Sequence, residues 1–83
     1  MRKIIFGENK NIIHRKLRAI RIQRGLTQGE VAAKLQTMNI NIDQQMISKI
    51  ENNDRIVTDY ELCCIAAVLK VEVKELLDGE TIV

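Results

Sequence analysis

The sequence predicts an all-α fold, a compact bundle of five short helices, and three observations carry that expectation. Apolar residues recur at intervals of three and four, the spacing of one helix face, rather than in the strict alternation of a half-buried strand. Two T-x-x-E capping boxes, Thr27-Gln28-Gly29-Glu30 and Thr58-Asp59-Tyr60-Glu61, mark helix starts. In each, the threonine hydroxyl accepts from a free helix amide and the glutamate reaches back to the amide of the cap. The chain also has no proline, so the caps and glycines must do all the terminating.

The first helix is expected over about residues 11–24, with Ile13, Leu17 and Ile20 on one face. Gly25 follows as a left-handed stop, a conformation glycine adopts without steric cost. The second helix spans about 28–36 and buries Val31, Ala32 and Leu35. Gly29 in its first turn costs up to ~1 kcal/mol relative to alanine. After a polar gap, Asp43 caps a third helix over about 44–52, with Ile47 and Ile50 facing inward. Asn53 behind it tolerates the left-handed conformation. The fourth helix starts at the Thr58 box and turns Leu62, Ile65, Ala66 and Leu69 inward; Val71 leads into a fifth with Val73, Leu76 and Leu77, ended by Gly79. Neither repeats nor a linker interrupt the pattern. It divides into a basic arm at 1–10, one domain at 11–78 and a short tail at 79–83.

Eighty-three residues allow one domain, and 46% hydrophobic with 29% charged residues is a globular composition. Phe6 and Tyr60 are the only aromatics, so the core is aliphatic. A domain this small buries only about 60% of its unfolded-chain surface, which leaves modest stability. No apolar run approaches the roughly 20 residues that span a bilayer, and Ile4-Ile5-Phe6 is too short for a signal peptide. The chain is therefore expected to be cytoplasmic. Cys63 and Cys64 are adjacent in a helix, where their side chains diverge, so no disulfide joins them; small buried or half-buried free thiols are expected. With His14 as the sole histidine, no metal-ligand spacing exists, and no cofactor is expected. No Ser/His/Asp or Cys/His set and no phosphate-cradling loop supports an enzyme.

The net charge of +2 conceals an asymmetry. Residues 1–24 hold eight Lys/Arg against one acid, Glu8, while the remainder holds five against ten. One face is thereby suited to a polyanion. The basic segment runs directly into a short capped helix, a connection and a second helix with an amide-rich leading edge, which is the layout of a helix-turn-helix DNA reader.

The stretches RIQRGLTQGEVAAKL, ISKIENNDR and ELCCIAAVLKVEVKELL resemble, in that order, the Cro/CI-type helix-turn-helix family, also called the XRE family, which includes the lambdoid phage repressors. The resemblance covers about residues 11–78. It implies the lambda-repressor-like five-helix fold and operator binding, usually as a homodimer. One departure concerns the connection between helices two and three. QTMNINI at 36–42 makes it about five residues longer than the family's usual turn of three or four.

Gln44, Gln45, Ser48 and Lys49 fall on one exposed stripe of the third helix, opposite Ile47 and Ile50. Glutamine pairs with adenine N6/N7 and lysine favours guanine O6/N7, so these four are the expected base readers; Gln44 and Gln45 also resemble the paired glutamines of some phage repressors. Gln28 stands at a helix start, where free amides and the dipole attract an anion. By resemblance Gln28, Asn52, Asn53 and Arg55 hold phosphates, and Arg21 pairs with Glu51 as a structural ion pair. Arg15, Lys16, Arg18 and Arg24 add long-range attraction, and Asp43 is an acidic cap without an evident partner. The expected function is a sequence-specific transcriptional regulator, a repressor, whose third helix enters the major groove of a palindromic operator in double-stranded DNA. The alternative is an antitoxin or accessory protein that also binds a protein partner through the longer turn, its acidic second half and the tail Thr81-Ile82-Val83.

Overall fold

The structure is a computed structural model that describes residues 9–77; most of the basic arm, the Gly79 stop and the tail at 79–83 lie outside the described residues. Five helices follow in order: α1 (His14–Gln23), α2 (Gln28–Thr37), α3 (Gln44–Glu51), α4 (Asp59–Leu69) and α5 (Val73–Leu77). No strand occurs among the described residues. The start of α1 differs from expectation, falling at His14 rather than near Asn11. The Asn11 side chain is buried; its Oδ1 accepts from the Ile13 amide, and its Nδ2 donates to the Ile50 and Arg55 carbonyls at 3.0 and 2.9 Å. Asn11 thus ties the segment before α1 to the end of α3, and the helix starts only after that anchor.

Both T-x-x-E boxes form reciprocally, Thr27 with Glu30 and Thr58 with Glu61. Asp43 caps α3 by accepting from the Met46 amide at 2.8 Å. The helix ends share one device. Gly25, Asn39, Asn53 and Lys70 have φ between 60° and 71°, and each closes a helix. The next amide then returns to the carbonyl five residues back: Leu26 to Arg21, Ile40 to Leu35, Asp54 to Lys49 and Val71 to Ala66, at 2.8–3.1 Å. This is the Schellman arrangement, which satisfies carbonyls that the helix leaves open. In three cases the residue after the left-handed one (Leu26, Ile40, Val71) also packs against the core.

The core is aliphatic as expected, with Leu17, Val31, Leu35, Ile47, Ile50, Ile65, Leu69 and Leu76 fully buried. Leu62 is only half-buried. The connection between α2 and α3 is not the polar gap the sequence suggested. Ile40 and Ile42 are buried while Asn39, Asn41 and Asp43 are exposed, so the connection lines the core on one side. The Ile42 amide donates to the Ile40 carbonyl at 2.9 Å, a three-residue turn centred on Asn41. Gln36 Nε2 donates to the Ile42 carbonyl at 3.3 Å. The thiols are free, but Cys63 is exposed, because α4 shows its second face to solvent; Cys64 is half-buried.

Candidate nucleic-acid interface

The site is built on α3. Ile47 and Ile50 are fully buried, which fixes the rotation of a helix only two turns long. On the opposite side Gln44, Gln45, Lys49 and Asn52 are exposed and Ser48 is half-buried, so the four expected base readers do share one stripe. Asn52 Nδ2 sits 3.5 Å from Ser48 Oγ on that stripe.

Glu51 locks α3 to the rest of the fold. Arg21 Nε donates to its Oε2 at 2.6 Å and Arg21 Nη2 to its Oε1 at 3.0 Å, a two-pronged ion pair. Their side chains are 12% and 3% exposed. Arg21 Nη1 also donates to the Leu26 carbonyl at 2.9 Å, so one guanidinium joins α1, the loop after it and α3. The hydrogen bonds that Arg21 donates to Glu51 raise the Arg21 pKa above its ordinary value, against a smaller opposing effect of burial. Gln28 Nε2 donates to Glu51 Oε1 at 3.0 Å, which brings the first turn of α2 beside α3.

Gly29 gains a reason for its place in that turn. A Cβ there would stand 3.3 Å from Gln44 Oε1, closer than such contacts usually come, so the missing side chain lets Gln44 lie over the start of α2. The first turn of α2 thus touches α3 through side chains from both of its ends, Gln44 and Glu51.

Other expected contacts are occupied elsewhere. Asn53 Oδ1 accepts from the Lys10 and Asn11 amides at 2.9 and 3.3 Å, and its Nδ2 donates to Asn9 Oδ1. Arg55 pairs with Glu61 through Nη1 and Nη2 at 3.0 and 3.1 Å, with side-chain exposures of 22% and 17%. Asn53 and Arg55 therefore hold the fold with the side chains expected to reach phosphates. The Arg55 bonds are the main reason the Glu61 carboxyl sits below the usual carboxylate range, with Thr58 adding to the effect. The same bonds to Glu61 raise the Arg55 pKa above its ordinary value, against the opposing effect of burial, and the charge of Asp43 adds a smaller contribution in the same direction. Arg24 Nε donates to the Leu69 carbonyl at 2.9 Å and so staples the end of α4; Arg15 and Arg18 stay exposed. The anchoring role of Asn11 and the pairing of Glu61 with Arg55 escaped sequence reading, since no local signal announces a partner more than five residues away.

A helix-turn-helix family model matches residues 17–76, the span from α1 to α5. The chain belongs to the XRE-type helix-turn-helix family. This helix-turn-helix chain is also similar to a solved structure, the crystal structure of the DNA-binding domain of BldD. The two are 36% identical with a TM-score of 0.69, over 84% of this chain and 94% of that one. No curated protein matches significantly. The family consists of non-enzymatic DNA-binding regulators, and the helix-turn-helix chain is a DNA-binding transcription regulator rather than an enzyme. Among the described residues no helix is long and apolar enough to cross a membrane, and no cluster of His, Cys, Asp and Glu has the make-up of a metal site.

Proposed function

We propose that this regulator is a cytoplasmic repressor that binds a palindromic operator as a homodimer and inserts α3 into the major groove. Gln44, Gln45 and Lys49 read base edges, with Ser48 in support. Gln28, through the free amides of the first turn of α2 while its side chain stays on Glu51, and Asn52, at the end of α3, hold the flanking phosphates. The observation that carries the reading is the exposed amide-rich stripe of α3, backed by buried Ile47 and Ile50 and clamped by Glu51. Glutamine donates to adenine N7 and accepts from N6, and each such pair discriminates by roughly 1–3 kcal/mol. Repression follows from occupancy of the operator, as the resemblance to phage repressors implies. A two-fold dimer places its half-sites about 34 Å apart.

Selection of sites from random duplex DNA with the purified protein tests this. An inverted repeat with that spacing supports the reading, and Gln44→Ala or Gln45→Ala then relaxes preference at particular positions. Equal loss of binding to every sequence removes the glutamines from base reading. The accessory-protein reading draws on Ile56 and Tyr60, 65% and 66% exposed on the acidic half. A stoichiometric unrelated protein recovered from native cells favours it.

A further inference from the structure

The lengthened connection between α2 and α3 presents a polar side chain to solvent, that of Asn41. Asn41 is exposed between Ile40 and Ile42, of which the first is 6% exposed and the second fully buried. Both flanks are also held by hydrogen bonds, Ile42 amide to Ile40 carbonyl and Gln36 Nε2 to Ile42 carbonyl. The Asn41 amide itself has no hydrogen-bond partner among the described residues. It lines a shallow open hollow with Gln36, Asn39 and Ile40. Two residues later Asp43 caps α3, so Asn41 sits just outside the leading end of the recognition helix.

We infer that Asn41 is a further DNA contact, donating its amide to the phosphate backbone at the rim of the groove that α3 enters. This rests on the reading of α3 as the major-groove reader. A chain that delivers a helix end-first into a groove crosses the groove's wall before its floor, and the wall is phosphate. The base edges fall to Gln44 and Gln45, which come after the cap. Because both neighbours are pinned in the core, the side chain is presented with little ordering left to lose on binding. The extra residues of the connection thus widen the contacted DNA without lengthening α3.

A charge placed at position 41 measures its distance from phosphate. Each phosphate neutralised by a cation steepens the dependence of log K on log salt by about 0.9. Asn41→Lys is expected to steepen the slope by about that amount on the selected site. Ala67→Lys, an equal charge on the exposed face of α4, corrects for long-range attraction. Asn41→Ala removes a neutral donor, so it weakens binding by about three- to tenfold on all sequences with the parent's slope retained. Melting curves confirm that the variants fold, as an exposed position allows. An Asn41→Lys slope equal to that of Ala67→Lys overturns the assignment, as does an Asn41→Ala variant that changes base preference at one position. If the parent itself shows no preferred site, the reading of α3 fails instead.

Discussion

Glu51→Ala removes the acceptor of three N–H donors at once: Arg21 Nε at 2.6 Å, Arg21 Nη2 at 3.0 Å and Gln28 Nε2 at 3.0 Å. Truncating one member of a buried pair costs about 3–5 kcal/mol, because the surviving charge stays desolvated. Arg21 keeps 12% exposure and its bond to the Leu26 carbonyl, so the loss falls at the lower end, about 3 kcal/mol. For a domain of this size about 3 kcal/mol lowers Tm by about 12–24 °C. Thermal unfolding followed by circular dichroism reads this directly. In an Arg21→Met background the charge is already gone, and the same substitution is expected to cost far less, a coupling that a double-mutant cycle isolates. A Glu51→Ala protein within about 0.5 kcal/mol of the parent, or a cycle that is simply additive, refutes the clamp.

Three further outcomes are expected. Arg55→Ala breaks two bonds to Glu61 and lowers stability by about 2 kcal/mol, while the salt slope of DNA binding stays at the parent's value; a slope flattened by about one unit with Tm unchanged makes Arg55 a phosphate ligand. Lys70→Gly relieves a left-handed non-glycine residue at φ 60° and stabilises by about 1 kcal/mol, seen as a rise in Tm; an unchanged or lower Tm removes that strain from the account. The folded-state pKa of Glu61 lies below its unfolded value of about 4.5, so its ion pair contributes stability above that pH and loses it as pH falls through the folded value. Melting curves taken across that acid range are expected to fall less steeply for Glu61→Gln than for the parent, and parallel curves count against the pair.

What the sequence made legible was local. Each T-x-x-E box is closed within four residues, and both form. Gly25 and Asn53 are residue types that favour left-handed backbone, and both adopt it. The same stop at Lys70 was invisible, because lysine has no such preference and tertiary packing imposes it there. Ile40 and Ile42 were passed over because two residues are too few to show a period, although their alternation buries both. Within the interface, the stripe on α3 follows from helical spacing, and Arg21–Glu51 came from the family pattern. Asn53 and Arg55 were given to phosphate because their partners at Asn9, Lys10 and Glu61 are settled only by the fold. Asn11 bridges more than thirty residues to Ile50, a distance at which a single sequence carries no signal.

Gln44 and Gln45 are proposed to meet adenine edges in the major groove. Replacing adenine by 7-deaza-adenine at their positions in the selected operator deletes only the N7 acceptor and leaves pairing and the minor groove intact. One lost hydrogen bond is expected to weaken binding about three- to tenfold there, with no further loss in the matching glutamine→Ala variant. Full affinity for the modified duplex, together with sensitivity to minor-groove changes at the same positions, contradicts the account.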